Sequence, residues 1–353
     1  CREEYDTADL LQAEQKSANK HRTSGGKRSS NVDCSKPRYR AVVDWVEFGF
    51  TTTQPTQAMH VQNQLNDATA FVNGCDENGT PFAKGLENTT TCDFRLKIQN
   101  PKNAISLQKF KKRTSKLSAD AAWRLTGLEV AFDTYLPNAN IRALAEIATD
   151  LYRFSTNKPE QDWNLYRQRG EGRTYVNTLN RRDLVERMAD GWQLTDARSK
   201  EIATRYHVYV KTTDNGGKLS LPANQHRARF EVTLRGDALP CQSLEELMTF
   251  DFTRLADHFK FRKLAPDDYR WRTPTGGRPV GVRQGLRHWY VVHDASQLGL
   301  RGEYKRPSSK IVGSYLNGKP AQFRRITVAD DELSRRGAQD QLRKLTRRWK
   351  SIA

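Results

Sequence analysis

The stretch Arg205–Arg235 reads RYHVYVK, TTDNGGKLSLPANQ and HRARFEVTLR, and it decides the fold of this chain. Its first and last segments alternate strictly between polar and apolar residues, which is the period of a strand with one buried face and one open face. The segment between them contains Gly216, Gly217 and Pro222, which favour turns. The sequence therefore predicts an antiparallel hairpin with a long loop.

Positions i and i+2 of a strand share a face, so each of these two strands has an apolar face and a polar face. The apolar faces predict a common core. The polar faces carry Arg205, His207, Tyr209 and Lys211 on the first strand and Arg227, Arg229, Glu231, Thr233 and Arg235 on the second. Side by side, the two strands predict a surface that combines a phenol, an imidazole, a carboxylate and several cations.

Two segments upstream also have the composition of strands, AVVDWVEFGF (Ala41–Phe50) and LTGLEVAFDTY (Leu125–Tyr135). In the second segment, Glu129 and Asp133 are four positions apart, so both are expected on one face with a small residue between them. Two carboxylates on one face predict a site for a divalent cation with oxygen ligands. Asp44 is a third acidic residue inside an otherwise apolar strand.

Helical spacing and capping residues predict five helices around these strands. They begin near Thr56, Pro137, Arg181, Ser243 and Thr327, and the last of them carries an apolar stripe among many arginines. Strands and helices follow one another without the regular alternation of a parallel sheet. The predicted fold class is therefore α+β, with a central antiparallel β-sheet flanked by helices and a basic helical segment at the C-terminal end.

The chain is strongly basic. It has 59 Lys and Arg against 41 Asp and Glu, a formal net charge of +18. The segment 301–353 alone has 14 Lys and Arg against 5 Asp and Glu, a net charge of +9. Proteins with this balance commonly bind a polyanion, and nucleic acid is the commonest one. The charge therefore predicts DNA as a partner, contacted in part by the C-terminal segment.

Composition excludes several other classes of protein. Hydrophobic residues make up 36% of the chain, which is enough to bury a core. The sequence contains no run of about 18 apolar residues, which argues against a membrane span. Residues 1–12 (CREEYDTADLLQ) lack the apolar stretch of a secretory signal. We therefore expect a cytoplasmic protein that has no membrane partner.

A phenol near a phosphodiester that is held by a metal suggests strand cleavage by a tyrosine nucleophile. The unperturbed pKa of tyrosine is about 10, so the hydroxyl needs help from a metal or a cation to attack at neutral pH. A metal would polarise the phosphate, and Lys211 or Arg229 could stabilise the charge that grows on its oxygens. The product would be a phosphotyrosyl bond that conserves the energy of the backbone for rejoining.

The order VVDWVEF, LEVAFDTY, YHVYVK and HRARFEVTLR resembles the replication initiation factor family over roughly Val42–Leu239. This family comprises the initiators of rolling-circle plasmids, related filamentous-phage initiators and relaxases of integrative elements. The resemblance implies an endonuclease that nicks one strand at an origin, forms a 5′-phosphotyrosyl intermediate and leaves a 3′-OH primer. It also implies Mg²⁺ or Mn²⁺ as cofactor, a host helicase and polymerase as partners, a homodimer, and a bacterial host.

The resemblance assigns roles to seven residues. The implied catalytic set is Tyr209, Lys211, Arg229 and Glu231, and the implied metal set is Glu129, Asp133 and Asp44. Tyr206 and Tyr175 remain alternative nucleophiles. Together with the charge distribution, these assignments predict a flexible basic arm at 1–38, a nicking and joining catalytic domain at 39–265, and a basic DNA-binding segment at 266–353.

Two other functions remain compatible with the sequence. A relaxase of an integrative or conjugative element would use the same chemistry, whereas a non-catalytic DNA-binding regulator would use the same basic surfaces without a metal-dependent nick. The string FKFRKLAPDDYRWR (Phe259–Arg272) interleaves aromatic and basic residues. It fits either stacking on unpaired bases or a buried helix end followed by a basic loop.

Overall fold

The structure is a computed structural model. It describes residues 37–83, 85–86, 89–117, 123–137, 140–155, 163–167, 173–175, 181–196, 203–214, 217–264, 271–272, 280–281, 289–292, 315–316, 319–320, 326–330 and 332–350. The predicted arm at 1–38 lies outside the described residues except for its last two positions. Most of the predicted segment at 266–353 also lies outside them, so both domain boundaries stay predictions.

Nine strands of the described part form one antiparallel sheet. In chain order they are β1 (Arg38–Gln57), β2 (Ala70–Gly74), β3 (Thr90–Gln99), β4 (Arg124–Tyr135), β5 (Trp163–Arg167), β6 (Arg173–Tyr175), β7 (Trp192–Asp196), β8 (Thr204–Lys211) and β11 (Arg227–Arg235). Their order across the sheet is β2-β3-β1-β4-β11-β8-β7-β5-β6. The strongest strand signals of the sequence therefore lie next to one another at its centre.

Short strands form smaller sheets beside the central one. They are β9 (Thr213–Asp214), β10 (Leu219–Ser220), β12 (Arg262–Leu264), β13 (Trp271–Arg272), β14 (Val280–Gly281), β15 (Trp289–Val292), β16 (Tyr315–Leu316), β17 (Lys319–Pro320) and β18 (Ile326–Asp330). Strands β9 and β10 form a small hairpin inside the long loop between β8 and β11. The larger hairpin of β8 and β11, which are antiparallel neighbours, is confirmed.

Six α-helices lie in the described part. They are α1 (Ala58–Leu65), α2 (Ala104–Thr114), α3 (Ile141–Phe154), α4 (Arg181–Ala189), α5 (Leu244–Thr249) and α6 (Glu332–Lys350), and a 3₁₀ segment spans Phe252–Phe259. Helix α3 packs against β4, β8 and β11, while α6 packs against β1 and the 3₁₀ segment. The prediction of an antiparallel sheet combined with helices is thus confirmed.

The core lies on the helix-covered face of the sheet. Alternate residues of the central strands, among them Val130, Phe132, Phe230 and Val232, are at most 1% exposed and pack with the helices in one cluster. Burying such side chains contributes about 1.5–3 kcal/mol each. Because strands alternate, the polar residues between them must lie on the opposite face of the sheet.

Helix α6 joins this core through its predicted apolar stripe. Its buried residues are Ala338, Leu342, Leu345 and Trp349. The indole Nε1 of Trp349 donates a hydrogen bond to the carbonyl of Leu247 at 2.8 Å. A Cβ atom at Gly337 would lie 2.6 Å from the ring of Tyr39 on β1, so this glycine permits the close contact of helix and strand. The stripe is therefore a packing face.

Two predicted helix starts are wrong, and strand pairing explains both. Thr56 is not an N-cap, because it pairs with Thr91 of β3 and the strand continues to Gln57. Thr327 lies in β18 and pairs with Val291 of β15, so α6 begins later, at Glu332. In both places the residue is held in extended conformation by pairing with a neighbouring strand, so the helix begins only after the pairing ends.

A helix does begin after Ser243, as predicted, but it does not reach Lys263. The hydroxyl of Ser243 accepts a hydrogen bond from the Glu246 amide at 3.2 Å, yet α5 is only six residues long and the chain continues as the 3₁₀ segment. Phe259 and Phe261 are buried in the core. They are therefore not available as stacking platforms for bases, which favours the buried-end interpretation of this string.

Within the described residues, each helix is too short or too polar to cross a membrane.

Candidate active site

The register of the central strands brings most of the candidate residues together on the polar face. Glu231 of β11 lies opposite His207 of β8. Arg229, two positions earlier, lies between Tyr209 of β8 and Asp133 of β4. Directly opposed residues have Cβ atoms about 5 Å apart, so these side chains are in reach of one another.

Asp44 reaches the same place because β1 contains a bulge. Val43 pairs with Val130 and Trp45 pairs with Glu129, which makes Asp44 an extra residue in β1. A bulge bends the strand and redirects a side chain. The carboxylate of Asp44 consequently comes close to that of Glu129.

Three carboxylates converge at this point. Asp44, Glu129 and Glu231 each contribute an oxygen atom, and the three oxygens lie within 4.8 Å of one another. The residues come from β1, β4 and β11, three successive strands of the sheet. We call this group the acidic triad, and it could hold a metal ion.

Asp133 lies outside the acidic triad. Its two carboxylate oxygens accept hydrogen bonds from Nε and Nη2 of Arg229, at 2.6 and 2.8 Å. Glu129 and Asp133 do share a face, but positions four apart on one strand are separated by about 13 Å along it. That spacing is too long for a common cation, so the predicted metal set is revised: Glu231, from the neighbouring strand, accompanies Glu129 instead.

The carboxyl groups of the acidic triad differ in their affinity for a proton. Burial raises the pKa of Glu129 to about 8, and the negative charges of Glu231 and Asp44 add to the effect. Burial also acts to raise the pKa of Glu231, but hydrogen bonding and charge from His207 and Arg229 outweigh it and lower the pKa to about 2. A cation in the triad would favour the ionised form of both.

Tyr209 is directly connected to the acidic triad. Its hydroxyl donates a hydrogen bond to Oε1 of Glu231 at 2.8 Å, and its ring stacks on His207 with 4.5 Å between the ring centroids. Burial and the negative charge of Glu231 raise the pKa of Tyr209 well above its usual value. The phenol is therefore within hydrogen-bond distance of the acidic triad. It remains protonated unless a cation other than Arg229 comes close to it.

His207 links Glu231 to two residues that sequence reasoning missed. Its Nδ1 lies 2.9 Å from Oε2 of Glu231, and its Nε2 lies 3.0 Å from both the hydroxyl of Tyr166 and Oε1 of Gln193. Tyr166 belongs to β5 and Gln193 to β7. Strand β7 lies beside β8 and β5 lies beside β7, and these short segments give no local signal of their places, which depend on long-range strand pairing.

Arg229 is the central cation of the site and is 2% exposed. In addition to its two bonds with Asp133, its Nη1 lies 2.5 Å from Oδ1 of Asp44 and 3.3 Å from Oε1 of Glu231. One guanidinium therefore contacts Asp133 and two members of the acidic triad. It fixes their relative positions and partly neutralises their charge.

Lys211 lies at the edge of the site. Its Nζ is 2.7 Å from Oδ1 of Asp214 in the hairpin loop and 4.0 Å from Oδ1 of Asp44. The side chain is 11% exposed. Lys211 thus pairs mainly with the loop and faces the acidic triad only at long distance.

The alternative nucleophiles are less favourably situated or lie outside the described part. Tyr206 points into the core, where its hydroxyl is 2.9 Å from Nδ1 of His258 and its ring packs against Phe230. It lies on the face of the sheet opposite the acidic triad. Tyr175 lies in β6, and its side chain is outside the described residues.

A cationic border lies on the β1 side of the triad, around Trp45. Nζ of Lys97 is 4.0 Å and the guanidinium of Arg235 is 5.2 Å from the ring centroid of Trp45. A Cβ atom at Gly127 would lie 2.7 Å from this ring, so the absence of a side chain there gives the indole its place. Positive charge therefore adjoins the acidic triad on the polar face.

The chain matches no protein-family model and no curated protein.

Proposed function

We propose that this protein is a metal-dependent endonuclease that nicks and rejoins one DNA strand through Tyr209. The observation that carries the proposal is the hydrogen bond of 2.8 Å between the Tyr209 hydroxyl and Oε1 of Glu231, because Glu231 belongs to the acidic triad. The proposed nucleophile is thus hydrogen-bonded to a carboxylate that could bind a metal ion, and the metal ion would in turn bind the phosphate.

Mg²⁺ or Mn²⁺ suits the acidic triad, since the donors are three carboxylate oxygens without sulfur or imidazole among them. The raised pKa of Glu129 points the same way, because it reflects burial and repulsion that a divalent cation would offset. When bound, the cation would polarise the scissile phosphate and stabilise charge on its oxygens.

The proposed reaction exchanges one phosphoester bond for another. The hydroxyl oxygen of Tyr209 forms a bond to phosphorus while the bond from phosphorus to the 3′ oxygen breaks. The phenol loses a proton and the 3′ oxygen gains one, so no proton is consumed overall. The products are a 5′-phosphotyrosyl bond and a free 3′-OH, and attack of the 3′-OH on phosphorus restores the DNA strand.

Arg229 and His207 would prepare this step. Arg229 holds Asp44 and Glu231 through its Nη1, and its positive charge can stabilise the phosphate as negative charge grows on it. His207 holds Glu231 from the other side and supports the ring of Tyr209 by stacking. The raised pKa of Tyr209 explains why the reaction should require a divalent cation.

The biological role that we infer is the initiation of rolling-circle replication, and the order of the four sequence motifs supports it. The 3′-OH would prime a host polymerase in the bacterial cytoplasm, and a host helicase would open the duplex. A homodimer would bring two such sites to one origin, and the basic segment 266–353 would contact duplex DNA. A relaxase would share this chemistry and differ in the DNA that it recognises.

The test is a nicking assay on supercoiled plasmid with the candidate origin, in Mg²⁺ or Mn²⁺, followed by a denaturing gel for protein-linked DNA. The wild type should form a covalent adduct. Tyr209→Phe should form none, and its nicking rate should fall on the order of 10⁴-fold or more, as when other enzymes lose a nucleophile. Tyr206→Phe is the matched control and should keep the adduct, because that side chain faces the core.

Two results would change the conclusion. An adduct that persists in Tyr209→Phe would keep the reaction and assign the nucleophile to another tyrosine. DNA binding by the wild type without a nick or an adduct, in either metal, would overturn the proposal in favour of a non-catalytic DNA-binding regulator.

A further inference from the structure

A second basic surface lies on helix α2 and the turn that follows it. Its cations are Lys109, Lys112, Arg113 and Lys116, which are exposed. Their spacing of three, four and seven residues places them on one side of a helical turn. The apolar residues Leu107 and Phe110 occupy the other side and are buried in the core. The cations are thus held on a rigid element.

These cations line an open groove. The groove has a volume of about 410 Å³ and is lined by Lys109, Lys112, Arg113 and Lys116 together with Gln64 of α1. Four of the five lining residues are cations and the fifth is a neutral amide, so no acidic residue of the described part contributes to the lining. Like charges in such proximity repel one another, and an anion in the groove would relieve the repulsion.

The lysines of the groove differ from other cations nearby in having no acidic partner among the described residues. Lys111, on the same helix, forms an ion pair with Glu245. Arg113 of the groove donates a hydrogen bond to the carbonyl of Leu65. Lys109, Lys112 and Lys116 form no ion pair with any residue that the structure describes. Helix C-termini do favour cations, but that effect is confined to the last turn. It does not account for Lys109 or for Lys116, which follows the helix.

The groove and the acidic triad lie on opposite faces of the central sheet. Helices α1 and α2 pack on the apolar face of the sheet, as the buried Leu65 and Phe110 show. The acidic triad lies on the polar face. A strand that is being cleaved at Tyr209 would therefore not reach the groove without passing around the edge of the sheet.

We propose that this groove binds the phosphate backbone of a DNA duplex segment that is distinct from the strand cleaved at Tyr209. The choice of DNA as the polyanion rests on the proposed function. The groove contributes non-specific affinity, because lysine contacts to phosphates release counterions and carry no base information.

The test compares duplex binding by the wild type and by a Lys109→Gln, Lys112→Gln, Lys116→Gln variant over a range of salt concentrations. The probe is a fluorescent duplex of about 20 base pairs without an origin sequence, two turns of the double helix. The slope of log K against log salt is negative, and each lost phosphate contact should reduce its magnitude by about 0.9. The magnitude should therefore fall by about 2.7 in the triple variant.

Two controls separate local contacts from overall charge. The corresponding Lys→Arg variant keeps the charge and should retain the slope. A second variant, Arg167→Gln, Arg182→Gln, Lys260→Gln, removes the same net charge at solvent-accessible cations that already have acidic partners and lie outside the segment 266–353, and it should change the slope by less than one contact.

The outcomes are distinct for the groove and for the nicking function. An unchanged slope in the groove variant, or an equal loss in the second control, would overturn the groove proposal even if nicking is normal. Loss of slope with an unchanged rate of cleavage of a short single strand would support it. A wild type that nicks DNA but binds duplex without salt dependence would overturn the groove proposal alone, and a wild type that binds no DNA would overturn both.

Discussion

The two faces of the central sheet are built from the same strands but are held together by different forces. On one face, alternate residues such as Phe132 and Phe230 are buried under helices, and their stabilisation comes from removing apolar surface from water. On the other face, alternate residues carry charges: Arg229 and Glu231 are buried, and Glu129 is half-buried. There the ion pairs offset a desolvation cost.

Burial therefore has opposite effects on stability on the two faces of the sheet. A buried phenylalanine stabilises the fold by itself, whereas a buried carboxylate stabilises it only as long as a partner remains. The polar face brings Asp44, Glu129 and Glu231 into one place, and burial together with the charges of Glu231 and Asp44 raises the pKa of Glu129 to about 8. An arrangement that costs stability in this way is typical of functional sites.

The largest loss of stability should come from a substitution on the polar face. Such a loss would show that the apolar face is not the only source of the free energy of unfolding. Arg229→Met removes the one guanidinium that contacts Asp133, Asp44 and Glu231. Breaking a buried ion pair by removing one partner costs about 3–5 kcal/mol. Three carboxylates lose a partner here, but Asp133 keeps the ion pair with Arg227 at 3.1 Å and Glu231 keeps His207 at 2.9 Å, so the loss should lie within this range. The free energy of unfolding from urea titration measures the change.

Asp133→Asn provides the matched control for Arg229→Met. In the background of Arg229→Met it removes a buried negative charge that has lost two hydrogen bonds to Arg229 and keeps the ion pair with Arg227, so the double variant should recover part of the lost stability. Equal stability of the single and double variants would show that the ion pair with Asp133 does not account for the effect.

A comparable loss on the apolar face would sharpen the comparison. Trp349→Ala should lower the free energy of unfolding by about 3–5 kcal/mol, because the 1% exposed indole fills the contact between α6 and the core. Trp349→Phe keeps most of the volume and loses the hydrogen bond to Leu247, so it should cost less. The folded fraction of Trp349→Ala should nick DNA at the wild-type rate. A loss under 1 kcal/mol would contradict the docking of α6.

The third expected effect has the opposite sign: it is a gain in stability, and it depends on pH. The folded pKa of Glu129 is raised from 4.5 to about 8, so the folded protein binds this proton more tightly than the unfolded chain does. Its contribution to stability is then present below pH 4.5 and is lost as the pH rises toward 8. Glu129→Gln in EDTA should therefore gain in Tm relative to the wild type between these limits.

Added Mg²⁺ or Mn²⁺ provides the control for Glu129→Gln. The cation should raise the Tm of the wild type at pH 8 and have little effect on the variant, which lacks one carboxylate of the acidic triad. Parallel Tm curves of the two proteins from pH 5 to pH 8 would contradict the repulsion within the triad.

The four central strands could be predicted from the sequence because the alternation of polar and apolar residues is a local pattern. Strict alternation in Arg205–Lys211 and in Arg227–Arg235 requires one buried face and one polar face, whatever the rest of the chain does. Sequence reasoning failed at Thr56 and Thr327, where a capping residue is engaged in strand pairing with a distant segment. Local signals cannot register such partners.

The candidate site divides in the same way. The residue types on each polar face followed from the sequence, and so did the placement of Tyr209 and Glu231 on one polar surface of adjacent strands. The structure groups Glu129 with Asp44 and Glu231 rather than with Asp133, because positions four apart on a strand are separated by about 13 Å, whereas neighbouring strands lie about 5 Å apart. The contributions of Tyr166 and Gln193 came from strands whose place in the sheet had no local signal.

Local sequence patterns are enough to establish strands with one apolar and one polar face, an antiparallel sheet with helices, and a strong positive charge. Which acidic residues meet depends on strand order, on register and on the extra residue Asp44 in β1, and these are properties of the folded chain. Distance explains the difference. Periodicity assigns a side chain to a face, but the short separation between neighbouring strands is what brings charges from β1, β4 and β11 within 4.8 Å.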